Sequence, residues 1–178
     1  LKNYGITKWC DYFDERQILV LCIFLKNSRN FLLQIKDKEY QKAISTYLMF
    51  MLTQRVNMAG FGVAWYSGRE TPVHILTFRQ PVIAFNFAES NPFLKTRGSF
   101  YYILENILNA ISFSTRLQKK SKCILNSVTT KSNIKYDLIL TDPPYGDDVQ
   151  YGELSEFFYV WAYRMIKNIF PELPSRVN

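Results

Sequence analysis

The chain has 178 residues, 48 % of them apolar and 21 % charged. That is enough to bury a core without disulfides or a metal, and it excludes a mini-protein, a disordered tail and a low-complexity polymer. The 22 Lys and Arg against 15 Asp and Glu leave a charge of +7 with the one histidine neutral, a balance suited to a polyanionic partner. The longest apolar run covers eight residues, 18–25, far below the roughly 20 that cross a bilayer, so no membrane partner is expected.

In chain order, Asp14 with Gln17 three residues on and Phe13 just before it reads as a capped helix start with a hydrophobic staple. Ile18, Leu21, Cys22 and Leu25 follow at helical spacing, and the pattern resumes at Phe31 and Leu32 after the polar stretch 26–30, which predicts one long or broken helix. Residues 38–56 predict a second helix, with Tyr40, Ala43, Tyr47, Phe50 and Met51 as its core stripe. Residues 58–93 change texture to Gly, Pro, Trp and short β-prone runs and are expected to be irregular or partly stranded. Within them Trp65, Tyr66, Arg69, Arg79 and Gln80 combine rings and planar donors of the kind that meet nucleic acid, and core packing for Trp65 with surface exposure for the others is the preferred reading. The lone His74 reads as a strand or loop residue.

A third helix is expected over 99–117, with Ser99 as its cap. Residues 122–125 and 136–140 then read as strands, the second a buried one ending in Thr141-Asp142. Leu154, Phe157, Phe158, Trp161 and Met165 are spaced i, i+3, i+4, i+7 and i+11, a final helix with Glu153 and Glu156 near its start, where the dipole favours anions. The alternation predicts an α/β sheet behind a helical N-terminal portion. It divides the chain into a helical region (1–57), an irregular insert (58–98) and an α/β half (99–178).

Charge is segregated along the sequence. Residues 116–135 hold six basic side chains (Arg116, Lys119, Lys120, Lys122, Lys131, Lys135) and no acidic one, whereas 136–163 hold six acidic and no basic. The basic run fits a solvated loop or phosphate contact. Cys10, Cys22 and Cys123 are odd in number and widely spaced, which predicts free thiols and no metal site within the chain. Asp147 and Asp148 are adjacent, lack a His or Cys partner, and read as a solvated turn. No signal-peptide h-region opens the sequence, so a cytoplasmic location is expected. A first residue Leu rather than Met suggests a piece of a longer polypeptide.

The motif that carries chemistry is Asp142-Pro143-Pro144-Tyr145, placed just after the apolar run 138–140, where α/β proteins bind ligands. An exocyclic amine on adenine or cytosine is a poor nucleophile because its lone pair is delocalised into the ring. Two acceptors, the Asp142 carboxylate and the Pro143 carbonyl, can each take one N–H and draw that pair back onto nitrogen. The prolines fix φ and remove competing donors. Tyr145 offers a ring face for an extruded base and a cation–π term of about 1 to 2 kcal/mol as charge develops. The electrophile that matches this chemistry is S-adenosylmethionine. An NTPase reading fails for want of a phosphate-binding Gly-Lys loop, and one histidine gives no basis for a Ser/His/Asp or Cys/His site.

The tetrapeptide resembles the catalytic motif of S-adenosylmethionine-dependent amino-methyltransferases. Residues 141–161, together with Phe13, Arg16 and Gln17 and with residues 86–93, resemble the adenine-specific DNA methylases that carry a zinc ribbon. The resemblance implies a Rossmann-like methyltransferase sheet and methylation of DNA at adenine N6. Asp142 and Pro143 would hold the amine, Pro144 would complete the catalytic loop, and Tyr145 would stack on the base. Asp142, with Asn126 and Ser127, would lie near the cofactor; Lys119, Lys120 and Lys122 of the basic run, with Arg79 and Tyr145, are the candidate nucleic-acid contacts. Glu89, Asn91 and Pro92 would form a second polar loop close to base or cofactor.

The sequence departs from that family in two respects. It has no Gly-rich cofactor turn, since Gly60-Phe61-Gly62 meets Trp65 where a third glycine belongs, and it has no zinc-ribbon cysteine pairs. The expectation is therefore the catalytic-motif half of an enzyme whose cofactor turn lies upstream. Cytosine N4, an RNA amine and a protein amide are alternative substrates, and a non-catalytic nucleic-acid-binding or assembly module is the alternative from another class.

Overall fold

The computed structural model describes residues 2–77, 83–85, 87–116, 121–124, 127, 129–130, 134–143, 145–146 and 149–175. Four long helices dominate: α1 (Glu15–Leu32), α2 (Lys38–Val56), α3 (Phe100–Ser114) and α4 (Tyr151–Ile166). The one sheet among the described residues is a two-residue antiparallel pair, β1 (Trp65–Tyr66) against β2 (Thr71–Pro72), with Trp65 opposite Pro72. None of these helices is long and apolar enough to cross a membrane. The three cysteines are free and exposed.

Local signals set the helix starts. The Asp14 side chain accepts from the Arg16 N–H at 2.9 Å while Gln17 Oε1 accepts from the Asp14 N–H at 3.1 Å, a reciprocal capping box that satisfies two donors the helix leaves open. Asp37 caps α2 through the Tyr40 N–H (3.0 Å), and Ser99 caps α3 through the Tyr102 N–H (3.2 Å). α1 runs unbroken through the polar stretch 26–30. α4 starts at Tyr151 without a side-chain cap.

Packing follows from which faces are apolar. α2 is the central element and touches each of α1, α3 and α4, and α1 also meets α4. The main core gathers Tyr12, Phe13, Leu21, Leu32, Leu52, Val56, Val63, Ile75, Phe157 and Met165. Phe13 stacks on Phe157 with ring centroids 5.9 Å apart and meets Trp161 edge-on at 6.0 Å. A smaller cluster joins Met51, Phe100 and Ile103, with Phe24 stacked on Phe100 at 4.5 Å.

α2 buries a different face from the one its aromatic residues predict. Tyr40, Tyr47 and Phe50 are exposed, and the buried side is Gln41, Ser45, Leu52, Arg55 and Val56, with Met51. Polar partners explain the choice. Gln41 Nε2 donates to the Leu32 carbonyl at the end of α1 (2.7 Å), and the Ser45 hydroxyl donates to the Lys42 carbonyl (2.8 Å). Arg55 reaches across to the 58–98 segment, where Nη1 donates to the carbonyl of Gly98 at 2.9 Å, to Ser90 Oγ at 3.1 Å and to the carbonyl of Met58 at 3.3 Å, and Nη2 donates to the carbonyl of Ser90 at 3.2 Å. Buried polar groups must be paired, and these pairings are available on one face only. Trp65, expected in the core, is likewise half exposed on β1.

Among the described residues the expected Rossmann-like α/β sheet is absent, and what is there is mostly helical. Residues 122–124 and 136–140 form no strand, and Leu138, Ile139 and Leu140 are 71 %, 72 % and 85 % exposed. A strand apolar on both faces is stable only between ladder partners and under covering helices. The described residues supply neither, so β-prone composition by itself does not make a strand here.

Arg55 is 3 % exposed and pairs directly with no carboxylate among the described residues. Burial lowers its pKa, opposed by the Glu89 charge. Arg55→Ala leaves three carbonyls and a hydroxyl without their donor and should cost about 3 kcal/mol. Arg55→Lys keeps the charge but not the fork and should recover little of it. Urea-unfolding midpoints read both, and a parental midpoint for Arg55→Ala would show that the clamp carries no stability.

Acid should act through the capped termini. The main-chain N–H of Arg16, then its guanidinium, hold the Asp14 carboxyl below its ordinary range. The main-chain N–H groups of Thr7 and Lys8, followed by the Thr7 hydroxyl, do the same for Asp11. A folded pKa depressed below the unfolded one adds stability that is complete at neutral pH and is lost as pH falls through the folded value. The thermal midpoint should therefore fall below about pH 4, and an Asp11→Asn, Asp14→Asn double variant should show a flatter fall.

Candidate functional site

The motif lies in the non-helical stretch ahead of α4. Asp142 and Pro143 are exposed, and Tyr145 is 60 % exposed. The Asp142 carboxylate makes no hydrogen bond or ion pair among the described residues, so both its oxygens are open acceptors. Pro143 contributes a carbonyl and no donor. The Tyr145 N–H points to the Tyr151 hydroxyl at a long 3.4 Å, which ties the motif to the first residue of α4. Pro144, Asp147 and Asp148 lie outside the described residues.

The cofactor and nucleic-acid residues expected from the sequence are not brought together. Ser127 is exposed, with its hydroxyl 2.8 Å from that of Thr129 and accepting from the Thr129 N–H. Lys122 is exposed, as are Arg116 and Lys135 of the basic run. Asn126, Lys119, Lys120 and Arg79 lie outside the described residues. The described residues around Asp142 and Ser127 form no enclosed cradle, so they do not fit a bound S-adenosylmethionine by themselves.

The glycines near residue 60 do not fit one either. A Cβ at Gly60, whose φ is +104°, would sit 2.7 Å from the Tyr12 carbonyl oxygen, and one at Gly62 would sit 2.8 Å from the Ile75 carbonyl oxygen. These glycines serve close chain packing. Among the described residues no three His, Cys, Asp or Glu side chains converge as a metal site.

Two separated segments singled out in the sequence do meet. Arg16 Nε pairs with Asp14 at 3.0 Å and Arg16 Nη2 with Glu89 at 3.4 Å, which joins the start of α1 to the 87–93 loop. Both Asp14 and Glu89 raise the Arg16 pKa, Asp14 more strongly. In that loop Asn91 Oδ1 accepts from the Phe93 N–H at 2.9 Å, and the Pro92 carbonyl accepts from the Phe100 N–H at 2.9 Å. Asn91 and Pro92 thus serve the entry to α3. The loop lies beside Arg16 and Arg55, and no contact joins it to Asp142.

Sequence reasoning missed a cleft of about 670 Å³ between α2 and α4, within the roughly 300–1,000 Å³ of small-molecule sites. One wall carries Phe50, Thr53, Gln54 and Asn57; the other carries Gly152, Ser155, Glu156 and Tyr159. Each set falls at i, i+3, i+4, i+7, one helical face. That periodicity was present in the sequence, alongside the apolar stripes on the same helices.

Comparison with protein-family models, curated proteins and solved structures finds no match to the chain. The site is therefore read from its own geometry.

Because Asp142 and Tyr145 carry no packing, Asp142→Ala and Tyr145→Ala should leave the urea midpoint within about 0.5 kcal/mol of the parent. A larger fall in either would mark that residue as structural.

Proposed function

We propose that the chain takes part in transferring a methyl group from S-adenosylmethionine to the exocyclic amine of a nucleobase, with adenine N6 in DNA as the leading substrate. The observation that carries this reading is the Asp142 carboxylate, exposed and unpaired among the described residues, beside a proline carbonyl and an exposed Tyr145 ring on one loop. The resemblance of residues 141–161 to amino-methyltransferases supports it, and the +7 charge suits a polyanion.

In this reading the Asp142 carboxylate and the Pro143 carbonyl each accept one N–H of the amine. That localises the lone pair on nitrogen and stabilises the positive charge that develops there. The Tyr145 face stacks on the base and faces that same charge. When bound, S-adenosylmethionine would supply the electrophilic methyl group and leave as its thioether, and the extra proton of the methylated amine would pass by way of the Asp142 carboxylate to solvent; its seat is no part of the residues described around Asp142.

The test is transfer of labelled methyl from S-adenosylmethionine to DNA by this chain, with adenine-free DNA and RNA beside it. Asp142→Ala should lower transfer about a hundredfold, and Tyr145→Ala about tenfold. Absence of transfer by a chain that binds S-adenosylmethionine, or an Asp142→Ala variant as active as the parent, overturns the reading. Polyanion binding should weaken steeply between low and moderate salt; an affinity that does not move would remove phosphate contact from the account.

A further inference from the structure

α3 has the fewest buried residues of the four long helices. Of its fifteen residues Phe100 and Ile103 are buried, both in the first turn, and none is buried from Leu104 to Ser114. Glu105 is its one charged residue, and Leu104, Leu108 and Phe113 stand exposed. A helix draws most of its stability from packing an apolar face, so a helix this apolar needs cover. α1 offers a matching stripe in Leu19, Ile23 and Phe31, all exposed and on one face at i, i+4 and i+12. These three, with Phe93, Tyr101 and Leu104, line a groove of about 600 Å³ between α1 and α3, and no charged residue is among its described lining residues.

We propose that two copies of the chain meet here about a two-fold axis, with α3 of each copy lying in the α1–α3 groove of the other. An apolar groove of this kind takes an amphipathic helix whose apolar side chains sit one turn apart, and α3 carries that stripe itself in Tyr101, Leu104 and Leu108. A patch that holds both groove and stripe is complementary to itself, as a two-fold contact requires. Leu108 and the six groove residues named above leave roughly 700 Å² open, close to the about 800 Å² that each partner buries in a standard interface.

Charge at the edge fits the same pairing. Lys95 and Glu105 border the stripe, lining a shallow groove along α3 with Tyr101, Leu104 and Leu108, and neither has an ion pair among the described residues. In an antiparallel α3 pair Glu105 of each copy meets Lys95 of the partner subunit. A lipid surface is a poorer match, since helices that lie on membranes carry Lys and Arg along their polar face and α3 has neither. Nothing in this contact depends on methyl transfer.

The experiment is sedimentation equilibrium of the chain from low to high micromolar concentration. The expected result is a monomer–dimer equilibrium, and Leu104→Glu, which puts a charge on an already exposed position at the centre of the contact, should weaken it at least about thirtyfold. Glu105→Lys and Lys95→Glu should each weaken it alone by setting like charges together. Mixing these two variants should restore a dimer of parental affinity, because both cross-pairs are then opposite in sign. Such rescue between two chains is out of reach of a variant that merely misfolds. A monomer at every concentration would leave the groove to another protein's helix and overturns the proposal. So does a dimer unmoved by Leu104→Glu, a mixture that restores nothing, or a series of ever larger species, the mark of a head-to-tail contact.

Discussion

Arg55 carries a charge into the interior at the end of α2, and the long non-helical segment between α2 and α3 is arranged around it. Its guanidinium ties three carbonyls, from Met58, Ser90 and Gly98, to one point on a helix. A segment with one two-residue strand pair has few backbone partners of its own, and without such a tie its buried carbonyls would be left unpaired. The same constraint sets the roll of α2 about its axis. Once Arg55 and Gln41 face inward, Phe50 and Tyr47 must face out.

That roll is what makes the cleft. Turning the Gln41–Ser45–Leu52–Val56 side to the core presents Phe50, Thr53, Gln54 and Asn57 toward α4, which faces them with Gly152, Ser155, Glu156, Phe158 and Tyr159. α4 packs most extensively on α2, with Phe157 and Met165 in the main core beside Leu52 and Val56, and an open groove remains on the adjoining face. The motif loop enters at the start of α4, so open acceptors on the loop and amides in the groove flank one helix end.

Helices were legible wherever a local interaction defines them. Asp14 with Gln17, and Ser99 ahead of α3, cap as expected, because capping depends on residues two or three apart and on nothing distant. The core stripe of α2 was not legible, because the competing faces are both amphipathic and the choice between them is made by Leu32, Ser90 and Gly98, none of them in that helix. The strand expected at 136–140 fails for a related reason: its composition is right, but a ladder needs a partner that the described chain does not offer. The meeting of Arg16 with Glu89, 73 positions apart, has no local signature at all.

The sequence by itself determined the helix starts, the absence of a membrane-long apolar run, and the chemistry of Asp142, Pro143 and Tyr145, since caps, apolar length and functional groups are properties of neighbouring residues. Only the tertiary structure decided which face of α2 is buried, that residues 138–140 stand exposed outside any sheet, and that a cleft opens beside α4. Each of those depends on what a segment meets in space, and burial of a charge such as Arg55 costs too much to be placed anywhere its partners are not.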